Sequence, residues 1–140
     1  MPATRLVFYQ LRRHLQSRAL LCFSETQHLT LNGISDQLPL LPDAIEELVI
    51  EGQPGDTLHL DGLERLTRLR TLSAIIDLTS LKPLASVPSL CALVVGRYTP
   101  LDLSPLVGLP RLRYIFAPPK SVIPKELEGH VFTMSDDIPF

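Results

Sequence analysis

Apolar residues along this chain alternate between two spacings, first three and then two. Leu84, Val87, Leu90 and Leu93 stand three apart, and the frame recurs 22 residues later as Leu106, Leu109, Leu112 and Ile115. Leu63, Leu66, Leu69 and Leu72 set out the same frame 21 residues before the first. A run of threes suits a helical or 3₁₀ turn lying on a core. Each run then changes to Leu-x-x-Leu-x-Val, or a close variant, which is the alternation of a strand with one face buried. The unit is therefore a helical turn followed by a strand. A fixed period of this length predicts units that bury their apolar faces only by stacking on one another.

The strand halves read LRTLSA (69–74), LCALVV (90–95) and LRYIFA (112–117), with IEELVI (45–50) and a looser TQHLTL (26–31) before them. These segments resemble the leucine-rich-repeat superfamily, whose strand signature is L-x-x-L-x-L. SPLVGLPRLRYI is most similar to the short internalin-type repeats, and LPLLPDAIEELVI to the Leu-Pro repeats of some bacterial effectors. The resemblance implies a short α/β leucine-rich-repeat solenoid, with a parallel sheet on its concave face, capped ends and about five repeats over residues 26–119. Its strands would be centred on Leu48, Leu72, Leu93 and Ile115 and would pair in parallel. The family's Asn or Cys, eight residues after the first strand leucine, is replaced here by Ile34, Gln53, Asp77, Tyr98 and Lys120. No ladder of Asn side chains can form.

A chain of 140 residues suits one domain, here 1–140, with a continuous core. Thirteen prolines argue against long helices and favour frequent turns. A stack of repeats needs its ends covered. Residues 1–25 are expected to form the first cap: Phe8, Leu11 and Leu15 at helical spacing, with Arg12, Arg13 and Gln16 around the other side, and then ALLCFS (19–24) as a buried strand. Residues 120–140 are expected to form the second, with a helical turn in PKELEG, a short strand around Val131–Met134 and a loose or partner-bound tail, SDDIPF.

A net charge of −2 gives no general attraction to nucleic acid or to an anionic membrane. The basic run Arg5, Arg12, Arg13 and Arg18 is expected to be a solvated cap surface. Cys22 and Cys91 lie in apolar runs and are expected as small core residues rather than as a disulfide. The opening residues lack the apolar segment of a secretion signal and no stretch is long enough to span a membrane, so a cytoplasmic location is expected. The chain carries no phosphate-binding, zinc-protease, nucleophile-elbow or Cys-x-x-Cys motif. The nearest to a chemical cluster is DTLHLD (56–61). As a strand it would turn Leu58 and Leu60 inward, with Thr57, His59 and Asp61 outward. A hydrolase using His59 and Asp61 is the alternative of a different class.

The expected function lies on the strand face. Core leucines turn their alternate neighbours outward, which selects His28, Thr30 and Asn32, then Glu47, Val49 and Glu51, then Thr71, Ser73 and Ile75. Ala92, Val94 and Gly96 follow, and Tyr114, Phe116 and Pro118 complete the face, with Tyr114 and Phe116 either open as an anchor or packed under the C-terminal segment, for instance against Phe132 or Phe140. Its candidate partner-binding set is Glu47, Val49, Glu51, Thr71, Ser73, Ile75, Tyr114 and Phe116. The resemblance implies a non-enzymatic protein-binding module with no cofactor and no metal. Asp43, Glu46, Glu47, Glu51 and Asp56, with no Lys or Arg among residues 43–56, would attract a partner with a basic surface. A bacterial immunity protein that inhibits a toxin fits that description, and an adaptor recruiting partner proteins is the alternative.

Overall fold

The computed structural model describes residues 5–8, 27–33, 36–38, 41–53, 55–95 and 99–133. Their backbone forms ten strands. Seven make one parallel sheet: β1 (Arg5–Phe8), β2 (His28–Asn32), β4 (Glu47–Glu51), β6 (Thr71–Ile75), β8 (Ala92–Val95), β9 (Tyr114–Ala117) and β10 (Val131–Thr133). They lie in chain order, each beside the next. Three short strands, β3 (Asp36–Gln37), β5 (Thr57–His59) and β7 (Asp77–Leu78), make a second parallel sheet. The class is α/β, with the helical elements among the described residues reduced to 3₁₀ turns of three to five residues.

Those turns explain the spacing of three. Leu63, Leu66 and Leu69 each donate a backbone N–H to the carbonyl three residues back, at 3.2, 2.9 and 3.3 Å. Leu84, Val87 and Leu90 repeat the arrangement, and so do Leu106, Leu109 and Leu112. With three residues per turn, every third side chain falls on one side, and there it enters the core. Pro83 and Pro105 sit in the first positions of their turns, where no backbone N–H is required.

The change to strand is equally local. The carbonyls of Gln27, Glu46, Arg70 and Cys91 each accept N–H groups from two successive residues of the following unit, as with Cys91 at 2.7 Å and Ala92 at 3.1 Å on Arg70. The chain therefore carries two consecutive residues on the outer side between buried leucines, which is what Leu-x-x-Leu records. From there β4 and β6 alternate strictly, with Leu48, Ile50, Leu72 and Ala74 wholly buried. The core is one cluster of side chains from the inner face of the large sheet, the 3₁₀ turns and the short sheet. Leu58, Leu60 and Leu78 line it from the short sheet's side.

Several expectations change. Arg5–Phe8 is a strand in register with His28–Leu31, not the start of a cap helix. The backbone groups along that edge of β2 need partners, and a four-residue extended segment ending at Phe8 supplies them. Leu11, Arg12, Arg13, Leu15, Gln16, Arg18 and residues 19–24 lie outside the described residues. At the other end a 3₁₀ turn at Lys125–Leu127 precedes β10 as expected, and β10 joins the large sheet beside β9. The SDDIPF tail lies outside the described residues. Cys91 is half-buried rather than a core residue, its thiol 3.4 Å from the Ser89 carbonyl. Cys22, too, lies outside the described residues.

Candidate binding face

Parallel register turns the alternation into rows across the outer face of the large sheet. His28, Glu47, Thr71, Ala92 and Tyr114 are in register with one another, and one step along are Thr30, Val49, Ser73, Val94, Phe116 and Phe132. Asn32, Glu51 and Ile75 start a third row. The eight candidate residues thus share one face: six on adjacent β4 and β6, and Tyr114 and Phe116 on β9, with Ala92 and Val94 of β8 between. Seven strands span about 29 Å at the ordinary interstrand distance, wider than the five strands expected. Gly96 lies outside the described residues, and Pro118 is buried rather than outward, because the chain turns after Ala117.

Phe116 stacks on Phe132 of β10, with ring centroids 6.4 Å apart and planes 19° from parallel. It is half-buried, while Tyr114 is 64% exposed and Phe132 50% exposed. Among the described residues the aromatic end of the face is therefore three rings, of which two are open to solvent. Phe132 was not among the candidates, since Val131–Met134 reads from sequence as part of a cap.

The acidic end is smaller than the sequence suggests. Glu47 lies 2.7 Å from His28 Nδ1 on the neighbouring strand. Asp43 lies 3.9 Å from the Arg65 guanidinium, a basic neighbour outside the 43–56 window. Asp56 is turned into its own loop, accepting the Gln53 N–H at 3.1 Å. Glu46 and Glu51 are the carboxylates left on this face without an ion-pair partner among the described residues. A hollow of about 200 Å³ lies beside His28 and Glu47, lined also by Leu29, Thr30 and Val49.

A second charged group escaped notice in the sequence, although it is written there twice. Arg-Leu-Arg occurs at 68–70 and at 111–113, at the same place in units two apart. Leu69 and Leu112 are buried and all four arginines are exposed. The backbone ladder Glu46–Arg70–Cys91–Arg113 places Arg70 and Arg113 along the edge where β6 and β9 begin. The face is consequently divided, with carboxylates on the β4 side and guanidiniums on the β6–β9 side.

DTLHLD folds as read: Leu58 and Leu60 enter the core while Thr57, His59 and Asp61 are exposed. His59 Nδ1 lies 2.9 Å from the Thr79 hydroxyl, which the neighbouring β7 segment brings to it. With Asp61, Glu64, Ser80, Lys82, Pro83 and Ser86 they border a shallow groove of about 460 Å³ on the short-sheet side. No hydrogen bond joins Asp61 to His59. Two side chains at or beside the positions eight residues after the first strand leucine hold backbone N–H groups. Asp77 accepts the Thr99 N–H at 3.1 Å, and Ser121, one residue after Lys120, accepts the Leu101 N–H at 3.0 Å.

Among the described residues no three His, Cys, Asp or Glu side chains gather where they could hold a metal ion, and no helix is long and apolar enough to cross a membrane. No protein-family model matches the chain, and no curated protein or solved structure matches it either.

Proposed function

We propose that this chain is a leucine-rich-repeat-type solenoid that binds another protein on the outer face of its large sheet and performs no chemistry of its own. The observation that carries the reading is the central row, in which Val49, Val94, Phe116 and Phe132 stay half-exposed or exposed beside the small side chains of Ser73 and Ala92. Apolar and aromatic groups with small neighbours give contact area that is little filled from within, and rigid rings lose little entropy on docking. The repeating strand and 3₁₀ turn, with strands in chain order, support the solenoid.

Charges outside this row would set rate and orientation more than affinity. The β4 end, with Glu46 and Glu51, favours a partner that presents basic groups there, as the target of an immunity protein would. The His59–Thr79 contact is what favours a hydrolase. A base and a hydroxyl at hydrogen-bond distance, both exposed and without a third group to orient the imidazole, lack the supports such a pair needs.

The test begins with capture from the native cell and mass spectrometry, followed by binding kinetics with the recovered partner. Tyr114→Ala is expected to speed dissociation, a buried aromatic anchor contributing about 2 kcal/mol. Glu47→Lys with Glu51→Lys is expected to slow association and reduce its salt dependence. Unchanged kinetics in both folded variants would place the partner on another surface.

A further inference from the structure

We propose that the two Arg-Leu-Arg segments form a seat for an acidic segment of the partner protein, and that this seat fixes the direction in which the partner lies across the sheet. The proposal rests on the protein-binding reading above and names the chemistry of one end of the partner.

The seat is built by the repeat. Buried Leu69 and Leu112 hold each arginine pair at the start of β6 and β9. One strand, β8, lies between, so the two pairs stand about 10 Å apart. The floor between them is made of Ser89, Cys91 and Ala92, all half-buried and all small. Ser89 is tied down, its hydroxyl donating to the Leu69 carbonyl at 2.6 Å. Arg68, Arg70, Arg111 and Arg113 therefore flank a low floor, and no carboxylate among the described residues forms an ion pair with any of them. At about 10 Å their mutual repulsion is only partly screened at physiological salt, where the Debye length is about 8 Å. Carboxylates laid between the pairs would relieve it, and each planar guanidinium can hold one through two parallel hydrogen bonds. Tyr114 follows Arg113 directly and is open to solvent, so an apolar side chain next to the acidic run would meet an aromatic ring at once.

A nucleic acid is the rival occupant, since arginines beside exposed rings also suit a single strand. The layout disfavours it. Glu46 stands next to Arg70 in the backbone ladder and Glu47 lies in the adjacent row, one strand away. A polyanion crossing the sheet would meet these carboxylates within about 5 Å of the arginines. A protein segment can change sign over that distance. Its acidic part would lie over β6–β9 and its basic part towards β4, an orientation that the reversed pose would oppose at both ends.

The experiment uses the full chain and three fluorescein-labelled probes: a 12-residue peptide of glutamates around one tryptophan, the same peptide with lysines for glutamates, and a 12-nucleotide oligouridylate. Anisotropy is expected to show the glutamate peptide binding the native chain. Arg70→Ala with Arg113→Ala should weaken it about tenfold while leaving the lysine peptide unweakened. Because that variant could fold poorly, the glutamate peptide is also titrated into the ¹⁵N-labelled native chain, where amides of 69–71 and 112–114 should move. Binding of the lysine peptide alone at β4 would overturn the seat and leave the sheet-face reading standing. Shifts at no sheet-face amide with either peptide would overturn both. Oligouridylate binding more tightly than the glutamate peptide would overturn the choice of a protein segment.

Discussion

Gly52 follows β4 where the chain leaves the large sheet, and the closeness of its neighbour makes a graded test of the packing. Its N–H donates to the Ile75 carbonyl at 3.1 Å, which holds it against the next unit. A methyl group added there would strike Ile76, lying in closest contact with Cδ1, 2.7 Å from Cγ1 and 3.2 Å from Cβ. Ile76 is wholly buried and β-branched, so its side chain has few ways to turn aside. Overpacking of this kind costs about 1–3 kcal/mol. The Gly52 backbone is not left-handed, so alanine would also restrict the unfolded chain, which returns about 0.4–1 kcal/mol. Packing wins. At the middle of both ranges, Gly52→Ala should lower stability by about 1 kcal/mol in urea unfolding followed by circular dichroism. Ile76→Val removes the atom in closest contact and alone should cost about 0.5–1.5 kcal/mol. The double variant should be more stable than the sum of the two losses implies, since the substitutions meet at one contact. Gly129→Ala is the control, as nothing lies within 4 Å of the added carbon there. Strict additivity in the cycle, or a Gly52→Ala protein as stable as the native chain, would refute the close approach of the two units.

Leu93 is 1% exposed on β8, flanked by β6 and β9, and Leu93→Ala should cost about 2–5 kcal/mol in the same assay. His59→Ala should leave the circular dichroism spectrum and partner binding unchanged, and loss of a hydrolytic activity in that folded variant would overturn the non-enzymatic reading. The Asp102 carboxyl is held below the ordinary carboxylate value, first by the Ser104 hydroxyl at 2.6 Å and then by the Ser104 N–H at 3.0 Å. A lowered folded value means that any stability it contributes is present above the unfolded value and is lost as pH falls through the folded one. Ser104→Ala should raise the Asp102 midpoint in an NMR titration, and an unmoved midpoint would show that the hydroxyl is not the cause.

The sequence was most legible where a side chain's position is dictated by burial alone. Leu48, Leu72, Leu93 and Ile115 mark strands because each sits in an alternating run, and the 3₁₀ turns follow from leucines at every third place. DTLHLD reveals its inner and outer sides for the same reason. Of the short sheet only Thr57–His59 is legible, since two-residue strands such as Asp36–Gln37 and Asp77–Leu78 are too brief to carry a period. Arg5–Phe8 misleads because its pairing partner is more than twenty residues away and leaves no mark in local spacing. On the outer face of the large sheet, sequence indicates which residues turn outward but rarely what lies across from them. Glu47 meets His28 only through register, whereas packing of Phe116 on Phe132 is one of the two arrangements the sequence allows. Arg68 and Arg70 join Arg111 and Arg113 only once a strand is set between them.

Whether a partner protein occupies the outer face of the large sheet is read by site-specific photo-crosslinking. A benzophenone side chain placed at Val94, in the middle of that face, and in a second variant at Thr79, on the short-sheet side, would be irradiated in the native cell. A partner seated on that face gives one discrete protein adduct from position 94 and none from position 79. A discrete adduct from position 79 with none from position 94 would contradict that seating.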